Sequence, residues 1–273
     1  ANLWSLVSSC GVFEFTEAIV LLVRMRQFDV VGSTVGVRRL LGLIFARDQV
    51  IKDAVVQAVD VFYFSNAESP MVAAAGLSEL AATAALGELA SLEDVLKALV
   101  TSGRLSPNGG IMKTLWSNVS SDECSNNRKA AALNILSMCA RTSPEIVQGH
   151  LGTVCGAIDA ALSGEKKSPI LCRAACFALT VVRGKEGEPL ELSHPVFGAL
   201  AKVLHPSAPL AGRAWFPSAE QAISALYSLH PDPEHASSEV IKAFAAATFN
   251  GNSMDKIPTA VLARVLFVPG EIS

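Results

Sequence analysis

The sequence predicts an all-α fold, an α-solenoid in which antiparallel helix pairs stack on one another. The first observation is that no stretch alternates apolar and polar residues for long, as a half-buried strand would. The second is a repeated helix-start signal, Ser followed by Pro. The third is that the predicted helices, grouped in pairs, recur about every 35 to 45 residues.

Amphipathic segments between short polar or Gly- and Pro-containing stretches define the predicted helices. In chain order they cover residues 16–27, 34–46, 49–64, 70–88, 92–101, 108–118, 125–140, 145–162, 170–183, 195–204, 217–229, 234–248 and 257–267. Most of the connections are short, as expected where consecutive helices run antiparallel.

The helix at 49–64 illustrates how a buried face is predicted. Its apolar residues follow the spacing of one broad helical face. They are Val50, Ile51, Ala54, Val55, Ala58, Val59 and Phe62. Gln57 lies on the opposite, polar face together with Lys52 and Asp53. We therefore expect this helix to face the interior of a repeat along the first set.

Four Ser-Pro pairs mark predicted helix starts, because Ser can accept a bond from a free first-turn amide and Pro lacks an N–H there. They are Ser69-Pro70, Ser106-Pro107, Ser143-Pro144 and Ser168-Pro169. The run Ser91-Leu92-Glu93-Asp94 resembles a capping box, and Gly103 a helix stop. Proline-directed kinases are a second explanation for the Ser-Pro pairs, but helix caps account for all four without it.

The period matches HEAT or armadillo arrays, in which one helix pair cannot bury its apolar face and stacked neighbours can. We expect residues 1–273 to form a single HEAT-repeat array cut from a longer subunit, with a possible break or linker at 183–195, which is rich in Gly, Pro and charge. A compact all-α bundle shares the same local signals and differs in its helix contacts.

Composition excludes several classes of protein. With 51% apolar and 17% charged residues the core must be built from Ala, Leu, Val and Ile. The longest stretches without a charged residue are 13 long, whereas a membrane span needs about 20 apolar residues, so we expect no membrane span. The first residues lack the features of a signal peptide, and the six cysteines lie mostly in apolar helical runs, as in a reduced intracellular protein.

No constellation of residues predicts catalysis, a cofactor, a metal or a small-molecule substrate. Cys172 and Cys176 are four residues apart, but no further ligands accompany them, and a zinc site needs four. The five histidines form no catalytic set, and the phosphate-binding and nucleophile motifs are absent. We therefore expect a protein that is not an enzyme.

Basic residues are the remaining functional signal. Net charge is −3 overall but +2 in residues 1–52 and +4 in 111–185, against −5 in 53–110 and −4 in 186–273. The candidate DNA-binding residues are Arg38, Arg39, Arg47, Lys52, Arg128, Lys129, Lys166 and Lys167. On one ridge of a solenoid they could meet phosphates, while spacing alone fits a solvated polar face equally well.

Three segments carry a resemblance to a known family. The run "RQFDVVGSTVGVRRLLGLIFARDQVIKDAVVQAVDVFYF" at 26–64 resembles the HEAT-repeat region of condensin complex subunit 1. That family shows a G-hydrophobic-R-R-hydrophobic-L run, a basic residue followed by Asp, and an I-K-[DE]-A-V helix. The segment "WFPSAEQAISALYSLHPDPEHASSEVIKAF" at 215–244 is similar to its W-x-P, A-E-Q-A-I and P-[DE] blocks, and "ARTSPEIVQGHLGTV" at 140–154 to the sequence between them.

The three segments occur in the family's order across nearly the whole chain, which is more specific than any one of them. There are departures: Phe45 stands where the family usually has Trp, and the loop after Phe249 is short where many members carry a charged insert. The HEAT subunit of condensin II is a related alternative.

The resemblance implies a non-enzymatic scaffold subunit that acts in mitotic chromosome condensation. Its partners would be the kleisin, the ATPase heads of the SMC subunits and DNA, with ATP hydrolysis left to the SMC partners. It would lie in the nucleus and on chromosomes, and in the cytoplasm for part of the cell cycle. Arg38, Arg39 and Lys52 match basic positions of the family motif. Without the resemblance, the main alternative is a HEAT or armadillo adaptor that binds peptides in transport or phosphatase assemblies.

Overall fold

The computed structural model describes most of the chain. The described residues are 17, 20–22, 24–25, 28, 33–65, 67–163, 167–182, 188–210, 212–249 and 258–272. Most of the predicted helix at 16–27, and the N-terminal block of the family resemblance before residue 33, fall outside them. The contacts within the chain divide it into two compact units, residues 1–115 and 116–273.

From residue 33 onward, the described part of unit 1 contains four complete helices and the start of a fifth. They are α1 (Ser33–Leu41), α2 (Gln49–Asp60), α3 (Pro70–Thr83), α4 (Leu86–Thr101) and α5 (Gly110–Ser120), in which the boundary between the units falls. A 3₁₀ turn, Gly42–Phe45, follows α1, and a π-helical turn, Val61–Ser65, extends α2.

Unit 2 continues the succession of helices. They are α6 (Asn126–Ala140), the single turn α7 (Glu145–Gln148), α8 (Leu151–Ser163), α9 (Pro169–Thr180), α10 (Pro195–Val203), α11 (Phe216–Leu229), α12 (Pro233–Phe249) and α13 (Thr259–Ile272), with a 3₁₀ turn at Gly212–Ala214 before α11. The described residues contain no strand, so the all-α prediction is confirmed.

Helices in unit 2 pack as stacked pairs. Helices α6, α9 and α11 lie side by side, α8 lies beside α10, and α8 also packs on α9. The guanidinium of Arg141, after the end of α6, lies 5.5 Å from the ring centroid of Phe177 near the end of α9. The Ser218 hydroxyl at the start of α11 donates to the Pro169 carbonyl at the start of α9 (3.3 Å). The three helices are therefore parallel, which is the packing of a solenoid layer rather than of a closed bundle.

The same arrangement recurs in unit 1, where α2 packs beside α4. Arg104, just after α4, forms an ion pair with Asp60 at the end of α2 and donates to the Ser65 hydroxyl at 2.9 Å. The C-terminal ends of α2 and α4 therefore meet. In the described residues from 33 onward, with the single turn α7 left aside, every second helix begins at Ser33, Pro70, Gly110, Leu151, Pro195 and Pro233, 37 to 44 residues apart, in agreement with the predicted period.

The buried face of α2 agrees with the sequence pattern in its centre. Val55, Ala58 and Val59 are at most 1% exposed, whereas Gln57 is exposed. The prediction that Val50 lies on the buried face is wrong, because 53% of this residue is exposed. It occupies the first turn, where the Asp48 carboxylate accepts a bond from its amide at 2.8 Å and fixes the helix end outside the core.

Two of the four Ser-Pro pairs cap helices as predicted. The hydroxyls of Ser69 and Ser168 each accept a bond at 3.3 Å, from the amides of Val72 and Leu171, and Pro follows at the first helical position. Gly103 is likewise confirmed as a helix stop, since its φ of +74° is the left-handed conformation that glycine favours.

The other two pairs do not cap through their hydroxyls. Ser143 donates to the Glu145 carboxylate at 2.7 Å, just before α7. The prediction that Ser106 caps a helix start is wrong. Its carbonyl accepts a bond from the amide of Gly109 in a turn (2.9 Å), and α5 begins only at Gly110. That turn takes up the residues that the sequence pattern assigned to the first turn of the helix.

The break between α3 and α4 lies earlier than predicted. The expected start at Ser91 is wrong, because Ser91 is buried inside α4 and donates to the Gly87 carbonyl at 2.9 Å. Instead, the Glu88 carboxylate accepts a bond from the amide of Ala85 at 2.8 Å. Glu88 thereby caps the N-terminus of α4 at Ala85, three residues before itself. The predicted helix at 145–162 is likewise divided, since Gly149 and His150 separate α7 from α8.

Trp215 anchors the C-terminal helices of unit 2. It is fully buried, its Nε1–H donates to the Val203 carbonyl at 2.9 Å, and its ring lies 5.6 Å from that of Phe244 and 5.9 Å from that of Phe267. The Arg264 guanidinium stacks over the indole at 4.9 Å. These contacts join α11, α12 and α13 around one large side chain.

The proposed linker at 183–195 is only partly described, and a single array over 1–273 stays a prediction. Residues 188–195 lie in unit 2, where the amide of Leu190 donates to the Leu229 carbonyl at 2.9 Å.

The expectation of no membrane span was examined on the helices. In the described part of the chain, none of them combines the length and the apolar character of a membrane span.

Candidate nucleic-acid interface

Arg38 binds within the fold rather than pointing freely to solvent. Its side chain is 29% exposed, and its guanidinium contacts Glu88 at 3.1 Å and also donates to the carbonyl of Thr83. The carboxylate that caps α4 is thus held by a cation from α1, and the carbonyl at the end of α3 gains a donor. Arg38 therefore closes the junction between α3 and α4, and its charge is largely matched by Glu88.

The three other candidates in unit 1 are placed differently. Arg39 and Arg47 are exposed and Lys52 is half-buried. Among the described residues no ion pair engages any of the three. Asp48, their acidic neighbour in sequence, uses its carboxylate to cap α2. Arg39, Arg47 and Lys52 are named the unit 1 basic group below.

The candidates in unit 2 divide in the same way. Arg128 is exposed in the first turn of α6, and Lys167 is exposed just before α9. Lys129 is only 9% exposed, so the expectation that it lies on a surface ridge is wrong. It sits in α6, a helix covered on most sides by its neighbours, and only its long aliphatic stem suits that burial. Lys166 lies outside the described residues.

The structure adds one residue that sequence reasoning missed. Arg213 is exposed in the 3₁₀ turn before α11. Because α6, α9 and α11 are parallel neighbours, Arg128, Lys167 and Arg213 all lie at the N-terminal ends of adjacent helices. The available signal was positional: each cation lies within about three residues of the start of a helix in the same layer. These three residues are named the unit 2 basic row below.

The remaining chemistry of the described residues is that of a packed core. Burial raises the pKa of the Cys139 thiol to about 12, and a hydrogen bond with Cys172, together with burial, raises the pKa of the Cys176 thiol. No group of three or more His, Cys, Asp or Glu side chains is placed to hold a metal in the part of the chain that the structure describes. An open cavity of about 590 Å³ lies between α8 and α10, where Lys202 and Asp159 form an ion pair at 2.6 Å.

Several known proteins are similar in sequence to this chain. No family model matches the chain. Condensin-1 complex subunit CAP-D2 of Arabidopsis thaliana is 29% identical over 290 residues, which cover 98% of this chain. Condensin complex subunit 1 is 28% identical in Xenopus laevis and 25% identical in Homo sapiens, each over 94% of this chain. The chain is similar to condensin complex subunit 1 along nearly its whole length.

This similarity confirms the resemblance found in the three sequence segments. The chain spans about a fifth of the length of the curated relatives that it matches. The similarity therefore concerns one region of much longer proteins.

Proposed function

We propose that this chain is part of the HEAT-repeat scaffold subunit of a condensin complex that acts in mitotic chromosome condensation. Similarity to condensin subunit 1 over 94% or more of the chain is the observation that carries the proposal. The stacked helix pairs support it, because a solenoid offers long surfaces to several partners at once.

In this proposal the chain is not an enzyme, and ATP hydrolysis belongs to the SMC subunits. It works by holding the kleisin and the SMC heads near DNA, in the nucleus and on chromosomes, with a cytoplasmic phase in part of the cell cycle. The full-length protein should therefore hydrolyse no ATP above a buffer control. Turnover that a point substitution in residues 1–273 abolishes would contradict the scaffold role.

DNA contact is assigned to the cations for which the described residues show no ion pair. These are the unit 1 basic group and the unit 2 basic row, and Arg38 is no longer the leading candidate, since Glu88 holds it. Each phosphate contact releases condensed counterions, so affinity should fall with salt and should not depend on base sequence.

The test is duplex DNA titrated into the reconstituted complex at several salt concentrations. Reversal of two exposed cations, Arg39→Glu with Arg47→Glu, should weaken binding to all duplexes alike and reduce the salt slope by about 1.8, or 0.9 per phosphate contact. The matched control is Lys97→Glu, an exposed cation of α4 outside both basic sets, which should leave the slope unchanged.

The unit 2 basic row is tested in parallel with Arg128→Glu and Arg213→Glu. If neither double reversal changes affinity or slope while helical content is intact, the DNA assignment fails and these side chains only solvate the surface. If Lys97→Glu has the same effect as either double reversal, the contribution is net charge and not a defined interface.

Two alternatives raised by the sequence differ from the proposal in their partners. The equivalent HEAT subunit of condensin II shares the fold, and the set of co-purifying kleisin and other subunits distinguishes the two complexes. An adaptor that binds peptides in transport or phosphatase assemblies is favoured only by the repeat architecture itself. It predicts association with neither SMC subunits nor a kleisin.

A further inference from the structure

Unit 2 contains a second cavity, of about 320 Å³, which lies between α10 and α12 and reaches α11. Helix α10 packs on α8 and α11, and α12 packs on α11 and α13, while no described side chain fills the space between α10 and α12. The lining is mostly apolar, and its larger apolar side chains are Phe197, Leu200, Leu204, Leu226 and Val240. The fold thus leaves an apolar cleft open between helices of successive pairs.

This cleft continues into the cavity of about 590 Å³ between α8 and α10, because both are lined by Ala201 and His205. Ala201 is exposed on α10, and Gly198, one turn earlier, is also exposed and lines the larger cavity. A Cβ atom built on Gly198 would meet no atom of another segment within 4 Å. A peptide backbone can therefore pass close over this face of α10, from one cavity to the other. The two cavities together are named the α10 groove below.

Two imidazoles line the α10 groove and offer hydrogen-bond donors. The Nδ1 atom of His205 accepts a bond from the amide of Ser207 at 3.2 Å, and that of His230 accepts from the amide of Asp232 at 3.0 Å. A neutral imidazole whose Nδ1 accepts carries its proton on Nε2. Among the residues that the structure describes, neither Nε2 atom has a hydrogen-bond partner. The groove therefore presents two N–H donors beside apolar walls, which suits an occupant with acceptors.

The charged side chains around the α10 groove are paired with one another. Lys202 binds Asp159 at 2.6 Å in the larger cavity, and Lys242 binds Glu239 at 2.8 Å beside the smaller one. The lining of the smaller cavity includes Glu239 but, in the described part of the chain, no Lys or Arg. A phosphate backbone would meet this carboxylate and apolar walls, with no unpaired cation to offset its charge. The charges therefore favour an uncharged occupant over nucleic acid.

We propose that the α10 groove is the docking site for a short, uncharged segment of another protein. One large apolar side chain of that segment occupies the cavity of about 320 Å³, which is at the lower end of the usual range of ligand sites, about 300–1,000 Å³. Backbone carbonyls beside this anchor accept bonds from the Nε2–H groups of His205 and His230. The groove shares no residue with the unit 1 basic group or the unit 2 basic row, so the inference does not depend on the DNA assignment.

The test incubates the purified full-length protein with an array of short synthetic peptides. The peptides tile the sequence of each protein that co-purifies with it, and the sequence of the chain itself. Ala201→Trp adds a large side chain at a residue that both cavities share, from an exposed position outside the core. Ala246→Trp makes the same change at an exposed residue of α12 outside the groove lining and is the matched control. Circular dichroism verifies that the variants have equal helical content.

At least one peptide of another protein should bind the wild type and Ala246→Trp alike. It should bind Ala201→Trp about 10-fold or more weakly, since the filled cavity excludes the anchor. Truncation of the central apolar residue of that peptide to Ala should cause a similar loss. His205→Phe keeps a ring and removes a donor, and should weaken binding of the same peptide by about 2- to 10-fold.

The docking site is refuted if no peptide distinguishes Ala201→Trp from Ala246→Trp. Binding of peptides from the chain itself alone would make the groove a self-association surface. A change in duplex DNA affinity with Ala201→Trp, without any effect on peptides, would make it a nucleic-acid surface. Either of these results overturns the proposed occupant, and equal peptide binding by the wild type and His205→Phe would overturn the hydrogen bonds from the imidazole.

Discussion

A pair of substitutions in α2 tests the assignment of its buried and exposed faces. Val55→Asp places a carboxyl where the structure leaves 0% of the side chain exposed. Gln57→Asp places the same group two residues along the same helix, on its exposed face. The two variants add the same charge with the same side chain, so a difference in stability reports burial alone.

The expected cost follows from the burial. Loss of the buried Val side chain removes about 1.5–3 kcal/mol of hydrophobic stabilisation. A carboxyl without a partner in the interior has its pKa raised by roughly 3 units or more, which adds about 4 kcal/mol at neutral pH. The sum approaches the whole stability of a typical domain. Gln57→Asp should change stability by about 0.5 kcal/mol or less.

Urea unfolding followed by helical circular dichroism at pH 7 and pH 4.5 measures both terms. The introduced carboxyl at position 55 has a folded-state pKa above its unfolded value of about 3.9. Its penalty is therefore complete above the folded pKa and shrinks as pH falls toward 3.9, by about 1.4 kcal/mol per pH unit. We expect Val55→Asp to recover stability relative to wild type at pH 4.5, and Gln57→Asp to show no such recovery.

Equal destabilisation by the two variants would refute the orientation of α2. So would a penalty for Val55→Asp that does not depend on pH. If Val55→Asp does not fold at pH 7, the milder pair Val55→Ala and Gln57→Ala makes the same comparison. Truncating the buried side chain should then cost at least about 1 kcal/mol more than truncating the exposed one.

Three further predictions concern unit 2. Ser168→Ala removes the cap of α9 and should cost about 1 kcal/mol in urea unfolding; no loss would contradict the cap. Trp215→Phe leaves the buried Val203 carbonyl without its donor and should cost about 1–3 kcal/mol, and a neutral result would show that the bond is not formed. The Cys139 thiol, whose pKa is raised to about 12, should resist alkylation at pH 8 until the chain unfolds. Half-exposed Cys124 is its control and should react in the folded protein, whereas labelling of both at one rate would contradict the burial.

Sequence reasoning recovered the features that depend on local chemistry. The apolar spacing of α2 predicted Val55 and Ala58 as buried, and the Ser caps of α3 and α9 were recognised from two residues each. The repeat period followed from the same signals, because a helix pair of given length imposes a nearly constant spacing. These features need no knowledge of which helices meet.

Features that depend on contacts between distant segments were missed. The start of α4 is set by Glu88, whose carboxylate also binds Arg38, 50 residues earlier in the chain. Lys129 follows an exposed arginine in sequence but is buried, since α6 is covered by its neighbours. The grouping of Arg213 with Lys167 depends on α9 and α11 being parallel, which the sequence alone does not show. Each of these features depends on which helices are neighbours, and the local sequence does not show that.

The most direct test of the central claim is the composition of the complex that contains this chain. The full-length protein would be purified from its own cells under mild conditions, and its partners identified and quantified by mass spectrometry. We predict near-stoichiometric recovery of two SMC ATPase subunits and a kleisin. Recovery of a transport receptor or phosphatase assembly, without SMC subunits or kleisin, would contradict the account.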